Sequence, residues 1–216
     1  PLLAVAADNS AVEEIVVQDQ RRAPYAIEKS SVGKFTESLM DTPQSITSLT
    51  KELLEDRGAM SLNDALRNVP GITLGAGEFT WQGNNPTIRG FNSRNDMFLD
   101  GMRDYGSYYR DPFYMETVEV LQGPSSMVFG RGSTGGVINQ SSKQPEADAF
   151  RSLHLNMGSA DTFRATADVN QPIAALGERG GLRLNLVQQS NGVVDRDVTA
   201  NRTFGARLDP VLELQV

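Results

Sequence analysis

Residues 118–143, which read VEVLQGPSSMVFGRGSTGGVINQSSK, decide the fold. Their apolar, β-branched start predicts a strand over residues 118–121, and the turn at Gly123-Pro124 predicts a helix of one to two turns. Pro124 fits the first turn of that helix, because the amide hydrogen that proline lacks would be unpaired there. Residues 130–136 then predict a compact loop, since glycine tolerates positive φ angles and close chain approach. A second strand is predicted over residues 137–142.

The glycines of this loop also match a dinucleotide-binding spacing. Gly130, Gly132 and Gly135 read G-x-G-x-x-G. That fingerprint requires a strand before the glycines and a helix after them. The predicted order here is helix, loop and strand, so no helix N-terminus would face a pyrophosphate. The sequence therefore argues against nucleotide binding.

Three motifs upstream complete a pattern that resembles the plug domain of the TonB-dependent outer-membrane receptors. They are Ile88-Arg89-Gly90-Phe91, Phe98-Leu99-Asp100-Gly101 and Arg110-Asp111-Pro112-Phe113. The resemblance spans residues 13–145, and within it residues 89–139 are most similar to siderophore receptors of the catecholate type. It implies an α+β plug domain, a small mixed sheet with short helices, followed by the first antiparallel strands of a truncated transmembrane β-barrel.

Two short helices are predicted before these motifs. Thr50 is a suitable N-cap for a helix that runs through Asp56 and stops at Gly58. Ser61 is a suitable N-cap for a second helix, with Asp64 three residues later as a variant of the capping box. One apolar stripe follows and ends at Pro70: Leu62, Ala65, Leu66 and Val69. Helices layered on a small sheet are typical of an α+β domain.

From Phe150 onward the hydrophobic pattern has a period of two. Leu153, Leu155 and Met157 share one face, and the other face is polar, with Ser152, His154 and Asn156. The same alternation recurs over residues 162–170 and 182–186. Such strands fit either a membrane barrel with a wet lumen or a sheet whose leucine face covers a soluble core. Periodicity alone does not distinguish a membrane barrel from a soluble sheet, and the resemblance favours the barrel.

The resemblance and the chain ends predict four segments. Residues 1–7 are interpreted as a signal-peptide remnant, because Ala4-Val5-Ala6 fits an A-x-A cleavage site. Residues 8–40 are a flexible N-terminal segment, residues 41–147 the plug domain, and residues 148–216 the first barrel strands. We expect the chain to be a fragment, since a barrel does not close with so few strands. We also expect no N-terminal signalling domain, which favours a transporter over a transcriptional transducer.

Composition excludes several classes of function. The formal net charge is −7 with mixed signs, which argues against binding a nucleic-acid backbone. The absence of cysteine removes thiolate metal sites and cysteine nucleophiles. The single histidine, His154, lies on a polar strand face, where we expect it to be solvated or lumen-facing. Ser31 and Lys34 match S-x-x-K but lack the companion motifs of that enzyme class. The sequence therefore predicts neither an enzyme nor a protein metal site.

Two loops carry the residue types that a ferric siderophore would need. Such ligands present aromatic or hydroxamate surfaces, and many are anionic, so aromatic rings and shielded cations suit them. The predicted ligand residues are Trp81, Gln82, Arg103, Tyr105, Tyr108, Tyr109 and Arg110. In the resembled family these loops rise to the extracellular apex. Alternatively the tyrosines pack against the barrel wall, and Asp104 and Asp111 neutralise the neighbouring arginines.

The N-terminal segment contains a β-branched triplet among charged residues. Such a segment can add as a strand to the edge of a partner's sheet. The resemblance identifies it as the TonB box, which binds TonB from the periplasmic side: Glu14, Ile15, Val16, Val17 and Gln18. The alternative is an edge strand of the domain itself.

Arg89 matches a plug arginine that locks the plug to barrel glutamates, whereas Gln122 stands where the family commonly has a basic residue.

The resemblance implies TonB-dependent uptake of a ferric siderophore, preferably a catecholate, across the bacterial outer membrane, with lipid around the barrel. The siderophore would carry the iron, so no cofactor is expected. Two alternatives stay open at this point. A receptor of the same fold could take another cargo, such as cobalamin or a glycan. A soluble β-rich binding protein of the periplasm or cell surface would instead bury the leucine faces in a dry core.

Overall fold

The computed structural model describes residues 25, 27–75, 83–173, 180–193 and 196–211. Several predicted functional residues lie outside these ranges: Glu14, Ile15, Val16, Val17, Gln18, Trp81 and Gln82. The predicted signal-peptide remnant lies outside them as well. Among the helices that are described, none has the length and apolar character needed to cross a membrane.

The described elements follow one another along the chain as short strands and helices, and then as four longer strands. They are β1 (Ser45–Thr50), α1 (Lys51–Asp56), α2 (Leu62–Leu66), β2 (Ile72–Leu74), β3 (Pro86–Ile88), β4 (Phe91–Asn92), β5 (Met97–Leu99), β6 (Met102–Arg103), a 3-10 helix (Pro112–Tyr114), β7 (Met115–Gln122), α3 (Ser126–Phe129), β8 (Gly136–Ser142), β9 (Phe150–Gly158), β10 (Thr162–Pro172), β11 (Gly181–Val193) and β12 (Arg196–Val211).

The strands β7 and β8 are the centre of a five-stranded sheet with the order β1-β7-β8-β5-β6. They confirm both predicted strands, and β7 extends the first of them in both directions. β5 pairs with β8 in parallel, with Met97 opposite Ile138, whereas the other pairs are antiparallel. The predicted mixed sheet is therefore confirmed. Strands β2, β3 and β4 form a separate three-stranded sheet.

The predicted helix caps are also confirmed. The hydroxyl oxygen of Thr50 accepts the amide hydrogen of Leu53, with 3.3 Å between the heavy atoms. The hydroxyl oxygen of Ser61 accepts the amide hydrogen of Asp64 at 3.2 Å. The position expected for Pro124 was wrong: α3 begins at Ser126 with Ser125 as its cap, so Pro124 lies in the turn before the helix.

The main core lies between the two capped helices and one face of the five-stranded sheet. Leu62, Leu66 and Ile138 are completely buried there, together with Val118 and Val120 of β7. Burial of a leucine or isoleucine side chain contributes roughly 1.5–3 kcal/mol each, so these few residues hold the helices on the sheet. The opposite face has a smaller cluster around Phe98, Leu121 and Val137.

Residues 27–40, which were predicted to belong to the N-terminal segment, pack on that opposite face. The buried carboxylate of Glu119 accepts the hydroxyl hydrogen of Ser30 at 2.7 Å and the amide hydrogen of Ser31 at 2.8 Å. Val32 is buried, and Phe35 packs against the smaller cluster. The packed domain therefore begins before residue 41.

The last four strands form an antiparallel sheet with the order β12-β11-β10-β9. Its polar face is buried against the first domain, where Arg164, Asp168 and Asn185 are each less than 9% exposed. Its apolar face points outward, and Leu153 and Phe204 are 66% and 78% exposed. A soluble sheet would place these faces the other way round. The alternative of a dry leucine core is therefore wrong, and the arrangement is that of a barrel wall.

The close approach of β7 and β8 generates a prediction about glycine. Gly136 has a φ angle of 141°, and a Cβ atom there would lie 2.1 Å from the carbonyl oxygen of Leu121. Gly123 has a φ angle of 100° but open space around it. We expect Gly136→Ala to lower the free energy of unfolding by about 3 kcal/mol or more, because steric overlap adds to backbone strain.

Gly123→Ala is the matched control. For this variant, backbone strain alone predicts that the free energy of unfolding decreases by about 1–3 kcal/mol. Both free energies would be measured by urea unfolding of the full-length protein in detergent. Equal losses for the two variants would contradict the proposed contact between Gly136 and Leu121.

Candidate ligand site

The predicted aromatic loop, residues 104–110, folds around the carboxylate of Asp104. One carboxylate oxygen accepts the amide hydrogen of Gly106 at 3.1 Å. The other accepts the phenol hydrogen of Tyr108 at 2.6 Å and a guanidinium hydrogen of Arg110 at 2.9 Å. A short loop with three donors on one carboxylate is held in a defined conformation.

Arg110 is the central contact of the loop and is only 1% exposed. Besides Asp104, its guanidinium donates to the carbonyl oxygen of Gly106 at 3.0 Å and lies 4.2 Å from the ring centroid of Tyr108. Arg110 nevertheless lines the cavity beside this loop, and its contact with a ligand stays a prediction. A buried guanidinium requires partners, and the loop itself supplies them.

These contacts change the pKa of two side chains in the loop. Burial raises the pKa of Tyr108 to about 12, and its hydrogen bond to the Asp104 carboxylate adds to the increase. Burial by itself would raise the pKa of Asp104, but the hydrogen bonds from Tyr108, Gly106 and Arg110 outweigh it and lower that pKa. The phenol therefore stays neutral and the carboxylate charged over the whole physiological range.

Arg103 is also paired within the first domain. Its guanidinium donates to Asp96 at 3.0 Å and to the carbonyl oxygen of Asn95 at 2.7 Å. It also contacts the carbonyl oxygen of Arg131 and lies over the ring of Phe98, 4.9 Å from the centroid. The sequence predicted Asp104 as the neutralising neighbour of Arg103, but the structure pairs Asp104 with Arg110.

The tyrosines of the loop remain exposed to solvent and so available to contact a ligand, in contrast to the arginines. Tyr105 and Tyr109 are 69% and 71% exposed, and Tyr108 is 43% exposed. Tyr109 lines an open cavity of about 780 Å³ between this loop and the four-stranded sheet. The sheet contributes mostly polar side chains to the cavity lining: Gln189, Asn191, Asn201, Arg202 and Thr203. The first domain also contributes Asp64, Arg110 and Asp111 to the lining. A cavity lined by an aromatic ring, amides and charged groups suits a polar aromatic ligand.

Comparison with known proteins identifies the domain that carries this loop. The family described as TonB-dependent Receptor Plug Domain matches residues 38–137. The Catecholate siderophore receptor Fiu of Escherichia coli is 37% identical over 94% of the chain. Residues 38–137 belong to the family of TonB-dependent receptor plug domains. The predicted fold class is thereby confirmed as a plug domain followed by antiparallel barrel strands.

Solved structures of TonB-dependent receptors agree with this assignment. The siderophore receptor PiuA of Acinetobacter baumannii gives a TM-score of 0.79 at 34% identity, over 85% of this chain and 26% of that chain. The closed form of Fiu gives 0.78 at 38% identity, with the same coverage. The Probable TonB-dependent receptor BfrD of Bordetella pertussis is 41% identical over 80% of this chain. The chain spans 23% of BfrD and 27% of Fiu, about a quarter of their length.

The plug domain contacts the barrel strands through a buried ion network at one end of the sheet. Arg183 of β11 donates two hydrogen bonds to Asp168 of β10, at 2.8 and 2.9 Å. It also donates to Glu146 at 2.9 Å and to the carbonyl oxygen of Gln144 at 2.8 Å. Lys143 approaches the same Asp168 at 3.1 Å. The connection between plug and barrel is thus held by charge pairs.

A second charged contact joins the aromatic loop to the barrel strands. Arg164 of β10 donates to both carboxylate oxygens of Asp111, at 2.6 and 2.8 Å. The same guanidinium donates to Gln189 of β11 at 2.5 Å. Arg164 was not among the site residues predicted from the sequence. The available signal was an arginine on the polar face of a strand whose opposite face is apolar.

The remaining predicted site residues lie apart from the loop. Arg89 is exposed and donates from its Nε atom to the side-chain oxygen of Gln122 at 3.1 Å. Arg89 therefore contacts Gln122, the residue that stands at the commonly basic position, while pairing of Arg89 with barrel glutamates stays a prediction. His154 is half-exposed on the polar face of β9, 3.9 Å from a carboxylate oxygen of Glu55. Within the part of the chain that the structure describes, no cluster of three or more potential metal ligands occurs.

The raised pKa of Tyr108 generates a prediction about pH. A phenol with a folded-state pKa of about 12, above its ordinary value of 10.0, stabilises the fold fully below pH 10, and this contribution is lost as pH rises through 12. We expect the difference in tyrosinate absorbance between the wild-type protein and Tyr108→Phe to titrate near pH 12.

Asp104→Asn is the companion variant, because it removes the charged acceptor of the phenol hydrogen bond. In that background the Tyr108 titration should shift to lower pH. A Tyr108 titration at pH 10 in the wild-type protein would contradict the hydrogen bond between these side chains.

Proposed function

We propose that this chain is the plug and first barrel strands of a receptor that takes up ferric siderophores across the bacterial outer membrane. One observation carries the proposal: the exposed Tyr109 and polar side chains of β11 and β12 line the same open cavity of about 780 Å³. The four-stranded sheet supports the membrane location, because its apolar face is exposed and its polar face meets the plug.

A catecholate is the favoured ligand class. Fiu is described as a catecholate siderophore receptor and is 37% identical over 94% of this chain. The Ferrioxamine B receptor of Salmonella typhimurium is 30% identical over 67% of it. A catechol ring can stack on Tyr105 or Tyr109, with a favourable contribution of about 0.5–1.5 kcal/mol per aromatic pair. Trp81 and Gln82 stay proposed ligand residues on the neighbouring loop.

The positive charge for an anionic ligand comes from the barrel side in this proposal. Arg103 and Arg110 are paired with Asp96 and Asp104. Arg202 is exposed on β12 and lines the same cavity as Tyr109. Its guanidinium would face an anionic complex in a partly enclosed space, where charge pairs are stronger than in bulk water. The siderophore would hold the iron, so we propose no protein cofactor and no enzymatic step.

Uptake would require coupling to TonB through residues 14–18. A β-branched triplet flanked by polar residues is suited to strand addition, in which the backbone of the box pairs with the edge of a partner sheet. Residues 27–40 connect this segment to the buried Glu119 of β7. A force applied to the TonB box would therefore be transmitted directly to the central sheet of the plug.

The ligand proposal is tested by titrating the full-length protein with a ferric catecholate, with ferrioxamine B and with the iron-free catecholate. We expect saturable fluorescence quenching by the ferric catecholate that is largely lost in Trp81→Phe. Tyr109→Ala should weaken binding by roughly two- to tenfold, which corresponds to the loss of one aromatic contact. Arg202→Gln should weaken binding of the anionic complex more at low salt than at high salt.

Tyr25→Ala is the matched control, because Tyr25 is an exposed tyrosine that contacts Asp56 and not the cavity. It should leave binding unchanged. Absence of a response to every ferric siderophore would overturn the ligand class and direct attention to other cargoes.

The TonB proposal makes a separate prediction about Val16. Val16→Pro removes a backbone hydrogen-bond donor and should abolish strand addition. We expect uptake of radioactive iron by whole cells to fall to background, while the affinity for the ferric catecholate stays unchanged. Val16→Thr, which retains β-branching and the amide hydrogen, should retain uptake. Normal uptake by the proline variant would rule out these residues as the TonB box.

A further inference from the structure

We propose that Arg164 is a positioning residue of the ligand site, which sets the aromatic loop at a fixed distance from the barrel wall. This inference rests on the proposed function, because it concerns the same cavity. It assigns a role to a barrel residue that would not itself contact the ligand.

The contact between Arg164 and Asp111 has the geometry of a strong ion pair. Two nitrogen–oxygen distances of 2.6 and 2.8 Å join the guanidinium to both carboxylate oxygens. The side chains of Arg164 and Asp111 are 4% and 16% exposed, so water screens the pair little. A paired guanidinium fork also fixes orientation, which a single hydrogen bond does not.

On the plug side, Asp111 determines where the aromatic loop ends. Its carboxylate accepts the amide hydrogen of Phe113 at 3.0 Å and so caps the 3-10 helix that follows the loop. The preceding carbonyl, that of Arg110, accepts the amide hydrogen of Leu62 at 2.9 Å. The base of the loop is therefore fixed both to the core helix α2 and, through Asp111, to the barrel.

On the barrel side, Arg164 also determines the position of the cavity wall. Its guanidinium donates to Gln189, and Gln189 lines the same cavity as Tyr109. One guanidinium thus connects the base of the plug loop and a residue of the wall. Loss of the guanidinium would leave the Asp111 carboxylate partly buried and unpaired. The aromatic loop and the cavity wall would then no longer be held at a fixed relative position.

Arg183 provides a matched control within the same sheet. It too is a buried arginine with a two-pronged contact to an aspartate, but its further partners are Glu116, Glu146 and the carbonyl oxygen of Gln144. The paired residues Arg164↔Gln189 and Asn170↔Arg183 are six positions apart along β10, which corresponds to about 20 Å. Removal of Arg183 should therefore destabilise the protein without changing the aromatic loop.

The experiment compares Arg164→Gln, Arg164→Lys and Arg183→Gln in the full-length protein. Binding of a ferric catecholate is measured by fluorescence, and stability by thermal unfolding. We expect Arg164→Gln to weaken binding tenfold or more, and Arg164→Lys to recover part of that loss because it keeps the charge without the fork. Arg183→Gln should lower Tm at least as much and change the affinity less than twofold.

Asp111→Asn and the double variant with Arg164→Gln test whether Arg164 acts through Asp111. We expect the double variant to bind no more weakly than Arg164→Gln alone. Losses that multiply, or unchanged affinity in Arg164→Gln, would overturn the proposal.

Amide hydrogen exchange tests the positioning role without any ligand. Exchange over residues 104–110 should become faster in Arg164→Gln and stay unchanged in Arg183→Gln. If the wild-type protein binds no ferric siderophore but this pattern is observed, the ligand assignment fails and the positioning role stands. If exchange over residues 104–110 is unchanged in Arg164→Gln, the positioning role itself is overturned.

Discussion

Charge buried between the plug and the barrel strands is the constraint on which the rest of this structure depends. The polar face of the four-stranded sheet carries Arg164, Asp168 and Arg183, and the plug covers all three. Removing such groups from water is unfavourable by several kcal/mol per ion unless each gains partners of good geometry. The partners come from both domains, as Asp111 of the plug and Asp168 of the barrel strands illustrate. The two domains are therefore positioned relative to each other by the geometry of ion pairs.

The same requirement determines what the candidate site can offer a ligand. Arg103 and Arg110 satisfy carboxylates and carbonyl oxygens inside the plug, so their charge is used for folding. The loop that they stabilise then presents Tyr105 and Tyr109 to solvent on a base that Asp104 holds in one conformation. A preorganised aromatic surface loses little conformational freedom on binding. In the proposed site, Arg202 on the barrel side supplies the cation that lines the cavity.

Local patterns predicted much of the fold because local chemistry decides them. Caps at Thr50 and Ser61 and the strand alternation after Phe150 each follow from neighbouring residues. The Asp100-Gly101 turn has φ angles of 51° and 77°, as a two-residue hairpin of this type requires. The pairing of Arg110 with Asp104 was not predicted, because composition does not say which aspartate an arginine meets. Arg164 was missed for the same reason, since its partner lies 53 positions away in the chain.

The sequence by itself determined that this chain holds a small α+β domain followed by strands with one apolar face, because side-chain periodicity and capping act over a few residues. It also determined the family, through motifs of fixed spacing. Only the tertiary structure decided that the polar face is the buried one, that Arg103 and Arg110 are already paired, and that Arg164 joins the aromatic loop to the cavity wall. Those outcomes depend on which side chains, distant in sequence, contact each other in the buried interior. The spacing of residues along the chain does not specify these contacts.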